Sequence, residues 1–254
     1  MALSFSGSLT DIVTLIRLRF VGTGYCGWQV QKNGVSVQQT VQDALEKLFG
    51  ERLPLTGCSR TDSGVHANEY FAHITGLEER YVKVLPAALN SVLPRDICVT
   101  GAERKPDGFH ARYSAKGKEY IYLILDSPLR DPFLEGRVMH VPRRLDERVL
   151  SGYCSQLVGR HDFSAYSAAG GGARDTVRTV SSFTCERRDG LIRFSVTADG
   201  FLYNMVRIMT GTVLRAAEGS LKLSIPEITA SRRREYAGHT VPACGLYLNR
   251  VFYD

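Results

Sequence analysis

Short stretches of this chain alternate between apolar and polar residues, a pattern typical of β-strands that bury one face. Residues 13–21, with the sequence VTLIRLRFV, form the first such stretch. Successive side chains of an extended backbone point to opposite faces, so Arg17 and Arg19 share one side of this strand. The same pattern predicts further strands over residues 69–75, 93–103, 118–126, 179–187 and 191–199.

A helical period links the apolar residues of other segments. In residues 36–48 the side chains of Val37, Val41 and Leu45 fall on one face, and Ser36 stands where an N-cap is expected. Further helices are predicted over residues 81–91, 146–158 and 203–218. The run of three arginines at 232–234 is interpreted as the solvated face of a helix.

These elements predict an α+β fold of two comparable lobes whose antiparallel sheets meet at a central cleft. The N-terminal lobe is predicted over residues 1–108 and the C-terminal lobe over residues 109–254. A glycine-rich stretch with the sequence GTGYCGWQ follows the first strand, but it lacks the spacing of a nucleotide phosphate loop.

Composition places the chain among ordinary globular proteins, with 44% hydrophobic and 23% charged residues. Charged residues, including Asp11, interrupt the apolar residues near the N-terminus, so no signal peptide is expected, and no apolar run reaches the length of a membrane span. The six cysteines are far apart and form no C-x-x-C pair. We therefore expect neither a metal site nor a disulfide framework, and a cytoplasmic location is the default.

The net charge of +6 lies entirely in the second half of the chain. Residues 1–108 carry 11 basic and 11 acidic side chains, whereas residues 109–254 carry 21 basic and 15 acidic ones. A polyanion such as RNA would be held mainly by this half, because Lys and Arg neutralise phosphates and release counterions. A solubilising surface charge explains the same counts equally well.

The most informative segment is GCSRTDSGVHA, residues 57–67. In an extended run Arg60 and Asp62 point to the same face, and the Ser63-Gly64 pair that follows favours a turn. The pattern indicates a lone carboxylate held by its own guanidinium. Taken alone, an Arg-Thr-Asp triplet is more often a solvated surface ion pair.

This segment resembles the active-site motif of the TruA-type tRNA pseudouridine synthases, usually written GRTDAGVHA. Here Cys58-Ser59 precedes the arginine and Ser63 replaces the usual alanine, and neither change touches the Arg-Thr-Asp core. Other segments resemble the same family in the same order, namely YCGWQ at 25–29, FHARYSA at 109–115, HDFSAY at 161–166, FLYNMVR at 201–207 and GLYL at 245–248.

The resemblance implies the pseudouridine synthase fold, a homodimer, and isomerisation of uridine in tRNA without a cofactor or a metal. It points to positions 38, 39 and 40 of the anticodon stem-loop. It also implies roles for individual residues. Asp62 would be the catalytic residue, and Tyr120, Arg60, Arg207 and Leu246 would bind the target nucleotide. Apart from these roles, Arg112, Arg174 and Arg178 are our candidates for contacts with phosphates of the RNA.

Chemistry gives these residues an independent meaning. Forming pseudouridine breaks the N1–C1′ bond, turns the uracil and joins C5 to C1′, with no net oxidation. A carboxylate suits this reaction as a nucleophile, at C6 of the base or at C1′ of the sugar. The base must also be flipped out of its stack, and the resemblance makes Arg60 the candidate for holding the flipped state.

Three of these residues could also have a purely structural role. Asp62 could cap a turn, and a strand residue such as Tyr120 usually serves packing. Arg207 lies on a largely apolar helix and needs a carboxylate partner, which the resemblance makes Asp62. A catalytically inactive RNA-binding protein of the same fold is the alternative function, and the presence of Asp62, Tyr120 and Arg207 argues against it. A hydrolase would need a second carboxylate or a triad, and none accompanies Asp62.

Overall fold

The computed structural model describes residues 13–253 of the 254-residue chain. The expectation that the N-terminus carries no signal peptide concerns residues that lie outside this range. The described chain divides into two compact units, the first formed by residues 13–63 and 67–115 and the second by residues 64–66 and 116–253. The lobes predicted over residues 1–108 and 109–254 stay a prediction.

The first unit is built on antiparallel strands. Its elements are β1 (Val13–Phe20), α1 (Val37–Phe49), β2 (Leu55–Gly57), β3 (His66–Thr75), α2 (Leu85–Val92) and β4 (Ile97–Lys105). β1 lies between β3 and β4 and is antiparallel to both, and β2 pairs with the C-terminal part of β3. The predicted cap holds, because the Ser36 hydroxyl accepts a hydrogen bond from the Gln39 N–H at 3.2 Å.

The second unit contains a larger sheet. Its elements are β5 (Gly117–Asp126), β6 (Met139–Val141), α3 (Glu147–Ser155), β7 (Gly159–Asp162), β8 (Val177–Arg188), β9 (Leu191–Ala198), α4 (Met205–Ala217), α5 (Ile225–Ser231) and β10 (Leu246–Phe252). The strands β10, β5, β9, β8 and β7 are neighbours in that order and antiparallel, whereas β6 runs parallel to β5.

A buried ion pair stabilises this second sheet. Asp126 is 3% exposed and accepts hydrogen bonds from Arg187 at 2.7 and 2.8 Å and from the Leu145 N–H at 2.9 Å. Burial alone would raise the pKa of Asp126, but these donors hold it below its usual value. The carboxylate is thus occupied by internal donors and serves the fold.

The predicted α+β class and antiparallel pairing are confirmed. The interpretation of the 232–234 arginines as a helix face is wrong, because α5 ends at Ser231 and Arg232 adopts a left-handed conformation with φ of 57°. There the Arg232 guanidinium pairs with Asp162 at 3.2 Å. Within the described residues, no helix combines the length and the apolar character needed to cross a membrane.

Candidate active site

Asp62 lies in the loop that joins β2 to β3, and the backbone around it is held on both sides. The Trp28 N–H donates to the Thr61 carbonyl at 3.2 Å, and the Ser63 hydroxyl donates to the Tyr25 carbonyl at 3.2 Å. Thr61 is buried, whereas Asp62 is only partly buried. The loop therefore has a fixed backbone and presents a partly buried aspartate.

The glycine-rich stretch that precedes Trp28 provides the seat for this loop. Gly27 has a φ of +97°, and a Cβ built on it would lie 2.3 Å from the Thr61 carbonyl oxygen and 3.1 Å from the Asp62 carbonyl carbon. Only glycine combines this backbone conformation with such a close approach. Gly24, in the same stretch, has open space around its Cβ position.

Two aromatic rings form the base of the loop. The rings of Trp28 and Tyr70 stack with centroids 4.2 Å apart, and both are almost fully buried. The Tyr70 hydroxyl donates to the Ser59 carbonyl and accepts from the Ser59 N–H at 3.4 Å. Sequence reasoning assigned no role to Trp28 or Tyr70. The tryptophan lay in a segment that resembled the family, which was the signal available for it.

Arg60 and Arg112 come together in the first unit. Both side chains are exposed, and both line a groove of about 200 Å³. Arg60 reaches it from the Asp62 loop and Arg112 from the turn after β4. Two residues that the sequence assigned to RNA thus share one surface.

His66 closes the motif and belongs to the second unit. Its Nε2 is 3.0 Å from the Cys244 carbonyl oxygen, and its ring stacks on Tyr247 at 4.5 Å. Burial lowers the pKa of His66, although the hydrogen bonds to backbone carbonyls oppose that effect. These contacts indicate a structural role, and we assign His66 no catalytic one.

Tyr120 and Leu246 lie on the same face of the second sheet. Tyr120 pairs with Leu248, and Tyr122 pairs with Leu246, so Tyr120 and Leu246 are diagonal neighbours. The Tyr120 ring is 6% exposed and packs edge-on against Phe201 at 5.0 Å. Strand alternation alone cannot reveal this cover, which comes from the loop after β9.

Arg207 projects from the start of α4, and two neutral acceptors are among its partners. It donates to the Val241 carbonyl at 2.8 Å and to the Asn204 side-chain oxygen at 2.6 Å. The Tyr122 hydroxyl donates to the adjacent Pro242 carbonyl at 2.7 Å. The segment 241–242 therefore connects Arg207 to the strand that carries Tyr120.

The close packing of α4 depends on a glycine. A Cβ on Gly211 would lie 2.0 Å from the His239 carbonyl oxygen, so the helix backbone contacts the 238–241 segment directly. The Gly238 N–H donates to the Thr212 hydroxyl at 2.8 Å, and this bond fixes the same contact. The position of Arg207 follows from this contact.

The remaining two arginines differ from each other. Arg174 is exposed in the loop before β8. Arg178 is partly buried, and a Cβ on Gly200 would lie 3.2 Å from its Nε, which places its side chain beside the residue before Phe201. Among the described residues, no group of three or more His, Cys, Asp or Glu side chains could hold a metal ion.

Comparison with known proteins assigns this chain to a family. The family model described as tRNA pseudouridine synthase matches residues 18–114 and 153–254, which is more than half of the chain. The tRNA pseudouridine synthase A of Acetivibrio thermocellus is 42% identical over 237 residues, covering 93% of this chain and 97% of that protein. The protein of the same name from Ruminiclostridium cellulolyticum is 43% identical over 240 residues, covering 94% and 98%.

A chain of the Cbf5-Nop10-Gar1 complex crystal structure is 11% identical with a TM-score of 0.39, and the match covers 92% of this chain and 48% of that chain. We build no argument on so low a score. The chain belongs to the tRNA pseudouridine synthase family. It is accordingly an isomerase that converts uridine to pseudouridine in tRNA.

Proposed function

We propose that this enzyme modifies uridines of the tRNA anticodon stem-loop, at positions 38, 39 and 40, with Asp62 as the nucleophile. The observation that supports this proposal is the seat of Asp62. In a member of this family, the Arg60-Thr61-Asp62 backbone is held by Gly27, Trp28 and Ser63, and Asp62 is only partly buried.

The reaction makes few demands beyond such a carboxylate. The N1–C1′ bond breaks, the uracil turns, C5 bonds to C1′, N1 gains a proton and the C5 proton leaves. An aspartate is ordinarily ionised at neutral pH and can add to C6 or C1′ without prior activation. No electron acceptor is required, because the product is an isomer of the substrate.

The second unit supplies groups suited to the target nucleotide. We assign Tyr120 and Leu246 to the uracil ring, because they are neighbours on one sheet face. Hydrogen bonds to the Val241 carbonyl and the Asn204 side chain help to hold the Arg207 guanidinium in place, so it can offer a fixed positive charge. We assign Arg174 and Arg178 to phosphates of the RNA.

Mapping pseudouridines in tRNA from cells with and without this protein tests the proposal. We expect the modification at positions 38, 39 and 40 to disappear with the protein and to return when it is restored. Unchanged pseudouridine at these positions would contradict the assignment. The proposal includes a homodimer in the cytoplasm, which sedimentation equilibrium and cell fractionation would check.

Arg60→Ala should lower the rate of modification of folded tRNA more than that of an unstructured RNA. If Arg60 holds the flipped nucleotide, an RNA whose uridine needs less unstacking depends on it less. The measurement is the single-turnover rate on both RNAs. Arg52→Ala is the control, because it removes another exposed arginine, one that pairs with Asp43 and Glu46 on α1. Equal losses on the two RNAs would assign Arg60 to positioning Asp62 instead.

The Arg174→Ala/Arg178→Ala double variant should flatten the salt dependence of tRNA binding. Each phosphate contact contributes about 0.7 to 0.9 to the slope of log affinity against log salt, so we expect a decrease of about 1.5. The Arg143→Ala/Arg233→Ala double variant is the control, because it removes the same amount of positive charge at arginines that pair with Glu218 and Glu235. A salt slope of the Arg174→Ala/Arg178→Ala variant that is unchanged from wild type would show that these two arginines do not contact the RNA.

A further inference from the structure

The groove lined by Arg60 and Arg112 also contains the most exposed tyrosine of the first unit. Tyr113 is 77% exposed, although it is a large aromatic residue. Single exposed apolar residues are common, so exposure alone says little. The backbone that presents Tyr113, however, is fixed by many hydrogen bonds.

Each N–H from residue 110 to residue 114 has an acceptor. The His110 N–H donates to the Ser114 hydroxyl at 3.1 Å and the Ser114 N–H to the His110 carbonyl at 2.9 Å. The Ala111 N–H donates to His73 Nδ1 at 3.1 Å. The N–H groups of Arg112 and Tyr113 both donate to His110 Nδ1, at 3.1 and 3.3 Å.

The rings of His73 and His110 accept hydrogen bonds from the backbone of this turn and so hold it in place. His73 is 8% exposed, and its pKa is lowered by burial and by the neighbouring His110. The two rings meet edge to face at 4.9 Å. The turn is therefore rigid before any ligand arrives.

The side chains that leave this turn form a flat, positively charged platform. The His110 ring lies 4.3 Å from the Tyr113 ring, tilted by 32°, and the Arg112 guanidinium lies 5.8 Å from the Tyr113 centroid. The groove of about 200 Å³ beside them is lined by Arg60, two residues before Asp62. An aromatic ring beside one guanidinium, in a groove that a second arginine also lines, suits a base with its phosphate.

We propose that this platform binds an unpaired nucleotide of the RNA next to the target uridine. The base stacks on Tyr113, and Arg112 contacts the phosphate. A preorganised turn binds with little loss of conformational freedom, which explains why the backbone is so fully hydrogen-bonded. This inference rests on the proposed function, because it takes the RNA to be the substrate of the Asp62 loop.

The test measures binding of a fluorescently labelled, unmodified tRNA transcript by anisotropy, as a function of salt. Tyr113→Ala should raise Kd roughly tenfold, as expected for loss of one stacked base, without changing the salt slope. Tyr113→Phe keeps the ring and should stay within about twofold of wild type. Arg112→Gln should lower the slope by about 0.7, the share of one single-strand phosphate.

Phe133→Ala is the matched control, because Phe133 is an aromatic residue 88% exposed in the second unit and should leave Kd unchanged. Wild-type affinity in Tyr113→Ala would overturn the proposal, as would an equal loss in Tyr113→Phe and Tyr113→Ala. An unchanged slope in Arg112→Gln would overturn the phosphate contact. The measured quantity is affinity and not the rate of pseudouridine formation, so a failure of the platform is distinguishable from a failure of the proposed function.

Discussion

Replacing Gly27 by alanine is expected to cost both stability and most of the activity. The added Cβ would lie 2.3 Å from the Thr61 carbonyl oxygen, at a φ of +97° that alanine rarely adopts. The loop that carries Asp62 must then move away. Backbone strain of this kind costs on the order of 1–3 kcal/mol. A displacement of about 1 Å at a reacting group can lower a rate roughly a hundredfold.

Gly24→Ala is the control for Gly27→Ala, since a Cβ on Gly24 meets nothing within 4 Å. Urea unfolding would give the change in the free energy of unfolding, and single-turnover assays would give the rate. Gly24→Ala should behave like wild type in both. A stable Gly27→Ala enzyme with a wild-type rate would show that this contact does not position Asp62.

The sequence predicted the elements whose pattern is local. The strand beginning at Val13, the helix capped by Ser36 and the strand ending at Asp126 all lie within a residue or two of their predicted bounds. The short strands β2, β6 and β7 escaped notice, because three or four residues carry too little alternation to stand out.

The candidate site was only partly accessible from sequence. The Arg60–Asp62 segment could be found because its motif is contiguous. The seat made by Gly27 and the aromatic pair of Trp28 and Tyr70 could not be derived, because Gly27 and Trp28 are far from Asp62 along the chain and all three residues meet the Asp62 loop only in the folded structure. A strand pattern likewise carries no information about the loop residue that covers Tyr120.

Asp62→Asn should abolish pseudouridine formation while tRNA binding survives. Asparagine keeps the size of the side chain and an oxygen that can cap the turn, but it is not an anionic nucleophile. Loss of an enzyme's nucleophile typically lowers the rate by about 10⁴-fold or more. Removing a negative charge from an RNA-binding surface should, if anything, strengthen the attraction to RNA.

Asp107→Asn is the matched control for this variant, because Asp107 is an exposed aspartate of the same unit. It should retain wild-type turnover. Thermal unfolding and tRNA affinity are measured for both variants, so that a loss of folding or of binding cannot be taken for a loss of chemistry.

The most direct test of Asp62 as the nucleophile is release of tritium from tRNA labelled at uridine C5, under single-turnover conditions with enzyme in excess. Formation of the C5–C1′ bond expels the C5 hydrogen, so the label reports the isomerisation itself. We expect wild type and Asp107→Asn to release tritium from the target uridines and a folded, tRNA-binding Asp62→Asn protein to release none. Substantial release by Asp62→Asn would contradict the assignment of Asp62 as the nucleophile.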